Sequence, residues 1–111
     1  MRIEKYTVEK DEILENAISK ILIGSLRTIF VVDKKRVIGT ISEGDILRSL
    51  LKEKNLNSPV TGVMNKSFKF ITGKKKNDIA KKIFKQFNIG VVPVLNKKNQ
   101  LIDIILMRDL I

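Results

Sequence analysis

The chain has 111 residues, 43% hydrophobic and 31% charged, with a formal net charge of +10. That is room for one domain or a compact pair of small repeats, with enough apolar side chains to bury a core. Cysteine and histidine are both absent, which excludes a disulfide framework, a Cys/His zinc site, a thiol nucleophile and a Ser-His-Asp triad. No stretch approaches the ~20 apolar residues of a spanning helix, and Met1 to Lys10 lacks the apolar run of a leader. A cytoplasmic protein without membrane association is therefore expected.

In chain order, Ile13, Leu14, Ala17, Ile18, Ile21 and Leu22 make one apolar helical stripe. Asp11, Glu12 and Glu15 suit the positive end of that helix, and Gly24 is its stop signal. Ile29 to Val32 is a short apolar run rich in β-branched residues, the pattern of a strand covered on both faces. Asp33 to Arg36 is a polar turn and Val37 to Ile41 a second strand, so a hairpin is predicted. A second helix is predicted from Ile46 to about Lys54, opened by Ser42-Glu43-Gly44-Asp45. The turn-rich stretch around Pro59 divides the chain. Beyond it come a helix from about Asn77 to Asn88, striped by Ile79, Ala80, Ile83, Phe84 and Phe87, and strands at Val91–Leu95 and Leu101–Ile105.

The second half repeats the first. Thr28 to Leu47 runs parallel to Val91 to Ile111, at an offset of 63 residues before the hairpin turn and 64 after it. One residue is thus inserted among Lys97 to Gln100, where an insertion is cheapest. Each copy reads β-α-β-β-α, giving an α/β (α+β) fold of two units at 1–56 and 63–111, joined by a linker at 57–62. The second closing helix would begin near Met107 and is expected to be truncated.

Residues 1–55 carry 11 basic and 9 acidic side chains, residues 56–111 carry 11 and 3. A basic second half suits an anionic partner, from nucleotide to nucleic acid. Yet there are 17 Lys against 5 Arg, and few aromatics. Nucleic-acid surfaces combine bidentate Arg with stacking rings, so nucleic acid is the less favoured partner and a solvated Lys-rich surface the plainer reading.

Gly39-Thr40-Ile41-Ser42-Glu43-Gly44-Asp45 sits where a strand gives way to a helix. Unpaired backbone N–H groups there can hold a phosphate or ribose oxygen, and Gly44 lets a ligand approach closely. A Thr40 or Ser42 hydroxyl can bond to either, and the Asp45 carboxylate can accept from two ribose hydroxyls. Ser42 and Asp45 equally have the spacing of a capping box, which stabilises the helix by roughly 1 kcal/mol with no ligand. The two roles are compatible. No general-base pair or metal cluster is visible, so no catalytic and no metal-binding residues are assigned.

Val31-Val32-Asp33 followed by Gly39 to Asp45, with Gly90-Val91-Val92-Pro93-Val94 and Asp109 in the second copy, resembles tandem CBS domains, the Bateman module. The resemblance covers essentially the whole chain. It implies two units packed around a pseudo-twofold axis, with two clefts for adenosine nucleotides (AMP, ADP or ATP) as effectors and no required cofactor. It further implies a ribose contact from Asp45 with Ser42 beside it in one cleft. In the other, Asp109 takes the ribose, Arg108 points at phosphate, and Val91, Val92 and Pro93 sandwich a base or fill the strand core. Asp103 and Leu106 stand where the second copy should have its Gly and its Ser/Thr, so the Asp45 cleft is the better candidate. Gly39 to Leu51, followed by Val63-Met64-Asn65, is most similar to the CBS pair attached to sugar-phosphate nucleotidyltransferases, although Leu47 replaces the first Arg of that pattern. A homodimeric regulatory module controlling an attached catalytic domain is the expected function. The alternatives are a Lys-rich nucleic-acid-binding domain and a purely structural dimerisation domain with empty clefts.

Overall fold

Four consecutive apolar residues, Ile29 to Val32, bury both faces of the central strand of a three-stranded sheet. The computed structural model in which this is seen describes residues 3–24, 26–74 and 76–110; Met1, Arg2, Ser25, Lys75 and Ile111, including both ends of the expected units, lie outside the described residues. Two compact units emerge, Arg2–Phe68 and Lys69–Ile111.

The first unit contains β1 (Thr7–Glu9), α1 (Leu14–Ile23), β2 (Thr28–Asp33), β3 (Arg36–Ser42) and α2 (Glu43–Leu51). β2 is central, parallel to β1 and antiparallel to β3. Leu14, Ala17 and Ile21 of α1 pack with Val8, Ile29, Val31 and Ile41 of the sheet. Leu22, expected in the stripe, is 79% exposed: the buried residues recur at i, i+3 and i+7, and Leu22 lies about 100° further round the helix.

The second unit repeats the plan with β4 (Ile71–Thr72), α3 (Asn77–Gln86), β5 (Val91–Leu95) and β6 (Leu101–Leu106). Its sheet order is β4-β5-β6, again parallel then antiparallel. Ile71, Ala80, Val92, Val94 and Ile105 form its core, with Ile83, Phe84, Ile89 and Leu110 against it. α3 stops at Gln86 rather than Asn88, because Phe87 turns to extended backbone. Ile79 and Phe87, expected in the stripe, are exposed. Where the closing helix was expected to begin, Met107–Asp109 forms a single 3-10 turn.

The hairpins explain the change of offset. β2 and β3 are joined by Lys34 and Lys35, both left-handed at φ 50° and 70°, the geometry that matches strand twist in a two-residue loop. In β5–β6 the Asn96 N–H donates to the Gln100 carbonyl at 3.0 Å, leaving a three-residue loop whose last member, Asn99, takes φ 62°. Both hairpins also slip register at matched positions, between Val31 and Val32 and between Val94 and Leu95.

Two boundaries differ from expectation. α2 ends at Leu51, not Lys54. Glu53 adopts φ 63° while its N–H reaches Leu50 at 3.2 Å and the Lys54 N–H reaches Ser49 at 3.0 Å. That is a Schellman cap with Glu in the glycine position. The expected linker at 57–62, in turn, is built into the first unit. α1 has no side-chain N-cap; instead its first amides, Leu14 and Glu15, donate to the Ser58 and Leu56 carbonyls at 2.8 and 3.0 Å. These would otherwise be orphan donors. Val60 is fully buried in the same core, and its N–H donates to Glu12 at 3.0 Å.

Candidate functional site

Ser42 ends β3 in extended backbone and caps α2, and both halves of a capping box are present. The Asp45 N–H donates to Ser42 Oγ at 3.3 Å, while Asp45 Oδ2 accepts from the Ser42 N–H at 2.9 Å and from its hydroxyl at 3.0 Å. The box therefore fixes the Asp45 rotamer without any ligand. The other carboxylate oxygen, Oδ1, accepts from Arg48 Nη2 at 2.9 Å. Glu43, the first residue of α2, pairs loosely with Arg27 at 3.8 Å. Two cations thus flank a helix N-terminus whose amides favour anions.

Thr40 lies one step before this turn. It pairs with Phe30 on one side of β3 and with Asn65 on the other. Gly39 is where a close approach requires glycine: a Cβ there would stand 2.5 Å from Met64 Sδ and 3.0 Å from Met64 Cβ. Gly44 faces the Arg48 guanidinium, with Nη1 3.2 Å from the position of a Cβ. Thr40, Ser42, Gly44 and Asp45 are accordingly brought to one strand-to-helix turn of the first unit.

The remaining candidates lie in the second unit. Val91, Val92 and Pro93 are all buried in β5, and Val92 belongs to the core against α3. Val91 and Pro93 alternate onto the opposite face of the strand. Arg108 and Asp109 are exposed in the final 3-10 turn. Leu106, at the position of Ser42, provides no side-chain cap, and Asp103 Oδ1 turns back to accept from the Ile104 N–H at 2.8 Å.

Sequence reasoning missed two features. A shallow cavity of about 580 Å³ opens at the C-terminal end of α3, lined by Phe84, Phe87, Ile89, Gly90 and Met107 among others. The Met107 N–H donates to the Gly90 carbonyl at 2.9 Å, joining two of its lining residues. Gly90 belongs to the second-copy motif, but nothing local signals that Phe84, Phe87 and Met107 line one cavity. The other is the contact of Arg48, the Arg that the nucleotidyltransferase-like pattern retains, with Asp45, although their i+3 spacing permits it. Among the described residues no group of three or more acidic side chains could hold a metal ion, and no helix is long and apolar enough to cross a membrane.

The two units repeat one order of strand, helix and hairpin, and so define a tandem-repeat α+β protein. The CBS domain profile matches residues 1–52 and 60–111, and the chain belongs to the CBS domain family, which it carries as a pair. Among solved structures it is similar to a CBS domain protein of Pyrobaculum aerophilum complexed with AMP, with 20% identity and a TM-score of 0.81 over 94% of this chain and 81% of that one. A Methanocaldococcus jannaschii protein shares 26% identity with a TM-score of 0.82, over 94% of this chain and 44% of that one. The cytosolic domain of the Mg2+ channel MgtE, in complex with ATP, shares 18% identity with a TM-score of 0.78, over 96% of this chain and 44% of that one. No curated protein sequence matches the chain.

Proposed function

We propose that this CBS pair is a regulatory, non-catalytic module that senses an adenosine nucleotide at the Gly39–Asp45 turn and controls an attached enzyme domain. The observation that carries the reading is the Asp45 carboxylate at the head of α2, whose Oδ2 is held by Ser42 while Oδ1 meets only the exposed Arg48 side chain. A rigid carboxylate accepts a ribose diol without losing rotamer freedom on binding, and the helix terminus favours the phosphates. The solved structures with AMP and with ATP bound support a nucleotide of this class. Thr40, Ser42, Gly44 and Asp45 form the favoured site. Arg108 and Asp109, with Val91, Val92 and Pro93 in the neighbouring strand, form the weaker one, since Leu106 offers no hydroxyl.

The attached domain is a sugar-phosphate nucleotidyltransferase on the strength of the Gly39–Leu51 pattern alone. Assaying that activity in the full-length protein with and without ATP tests it. The module acts as a homodimer, which accounts for the exposed Leu47, Leu50 and Leu51 of α2.

The nucleotide reading is tested by thermal shift with AMP, ADP, ATP and CMP at millimolar concentration, on the wild type and Asp45→Ala, at two salt concentrations. A rise in Tm that Asp45→Ala abolishes supports it. No rise with any nucleotide refutes it. Binding of DNA or RNA that falls steeply with salt and ignores Asp45→Ala identifies a polyanion-binding surface instead.

A further inference from the structure

We propose that Arg48 is a displaceable counter-ion that both guards the Asp45 site and selects for phosphorylated ligands. The inference rests on the nucleotide reading of that site and names how the site discriminates. Asp45 Oδ2 already accepts twice from Ser42, at 2.9 and 3.0 Å, and a carboxylate oxygen offers about two acceptor positions. The two hydroxyls of a sugar diol therefore need both acceptor positions of Oδ1, one of which Arg48 Nη2 holds at 2.9 Å. The Asp45 side chain is only 14% exposed and the Arg48 side chain 67% exposed. The carboxylate is thus held in place, while the guanidinium is the partner free to leave.

Where it would go is set by Gly44. The guanidinium lies across the first turn of α2, with Nη1 and Nη2 3.2 and 3.3 Å from where a Gly44 Cβ would stand, so the missing side chain leaves it room to pivot. The first-turn amides there attract anions, and a guanidinium matches a phosphate bidentately. A ribose diol arriving at Oδ1 displaces Arg48, and the released cation pairs with the phosphate of the same ligand. A nucleoside without phosphate displaces Arg48 and gains nothing in return.

The test compares adenosine with ATP by calorimetric titration of the wild type, Arg48→Gln and Arg48→Lys. For an exposed pair of this kind, Arg48→Gln is expected to bind adenosine about two- to fivefold more tightly. It should bind ATP more weakly, so that the preference for ATP over adenosine falls about tenfold. Arg48→Lys, which keeps the charge but not the bidentate fork, should keep only part of that preference. Unchanged or weaker adenosine binding in Arg48→Gln, or equal changes for the two ligands, overturns the proposal while leaving the nucleotide reading intact. Absence of binding to the wild type overturns that reading, and the role of Arg48 with it.

Discussion

Thr40 and Asn65 exchange both backbone hydrogen bonds: Asn65 N–H donates to Thr40 at 2.7 Å and Thr40 N–H donates to Asn65 at 3.1 Å. A segment well beyond α2 thereby becomes an edge of the first sheet and lays the Met64 side chain on Gly39. Gly39→Val should therefore destabilise the chain by about 1–3 kcal/mol through overpacking, read as a lower urea midpoint. Gly39→Ala combined with Met64→Ala should show favourable coupling in a double-mutant cycle; strict additivity would mean that the two residues do not meet.

The capping box gives a separate prediction. Ser42→Ala removes the acceptor of the Asp45 N–H and should cost about 1 kcal/mol, seen as a lower Tm without nucleotide. Ser42→Asp restores an N-cap acceptor but not the hydroxyl that donates to Asp45 Oδ2, and it sets two carboxylates against each other, so it should recover little of that stability and also oppose phosphate binding.

Glu53 offers a stabilising change. It holds φ 63° at the C-terminal cap of α2, a conformation that costs an L-residue about 1 kcal/mol relative to glycine. Glu53→Gly is expected to raise the denaturation midpoint by about that amount, with nucleotide binding unchanged. A fall in the midpoint would show that the turn is not left-handed in solution.

The dimer reading is checked on α2. Leu47 and Leu51 are 65% and 87% exposed, so Leu47→Asp with Leu51→Asp leaves the core of the unit untouched. Sedimentation should show the wild type at twice the mass of the chain and the double variant at the mass of one chain. A wild type that sediments as a monomer at high concentration removes the dimer from the account.

What the sequence made legible was whatever a local pattern encodes. The four-residue apolar run of β2, the Ser42–Asp45 spacing and the inserted residue near Asn99 were all readable, because each is fixed within a few residues of itself. What escaped depended on partners distant in the chain or on unusual backbone. Nothing in Leu56 to Val60 announces that their carbonyls and amide serve the start of α1. Glu53, Lys34 and Lys35 hold left-handed conformations usually given to Gly or Asn, so composition hid them. For the candidate site, Thr40, Ser42, Gly44 and Asp45 were legible as one strand-to-helix turn, whereas Arg48 was legible only as a pattern residue and not as the partner of Asp45, since sequence does not say where a long side chain folds.

The bonds from Leu14, Glu15 and Glu12 to the stretch 56–60 bear on how the polypeptide should be dissected. An expression fragment that stops at residue 56, where the repeat suggests a border, would discard Val60 from the hydrophobic cluster and strip the Ser58 carbonyl from the Leu14 amide of α1. Cloning junctions, fusion points and circular permutation belong instead between Phe68 and Lys69, the border of the two compact units.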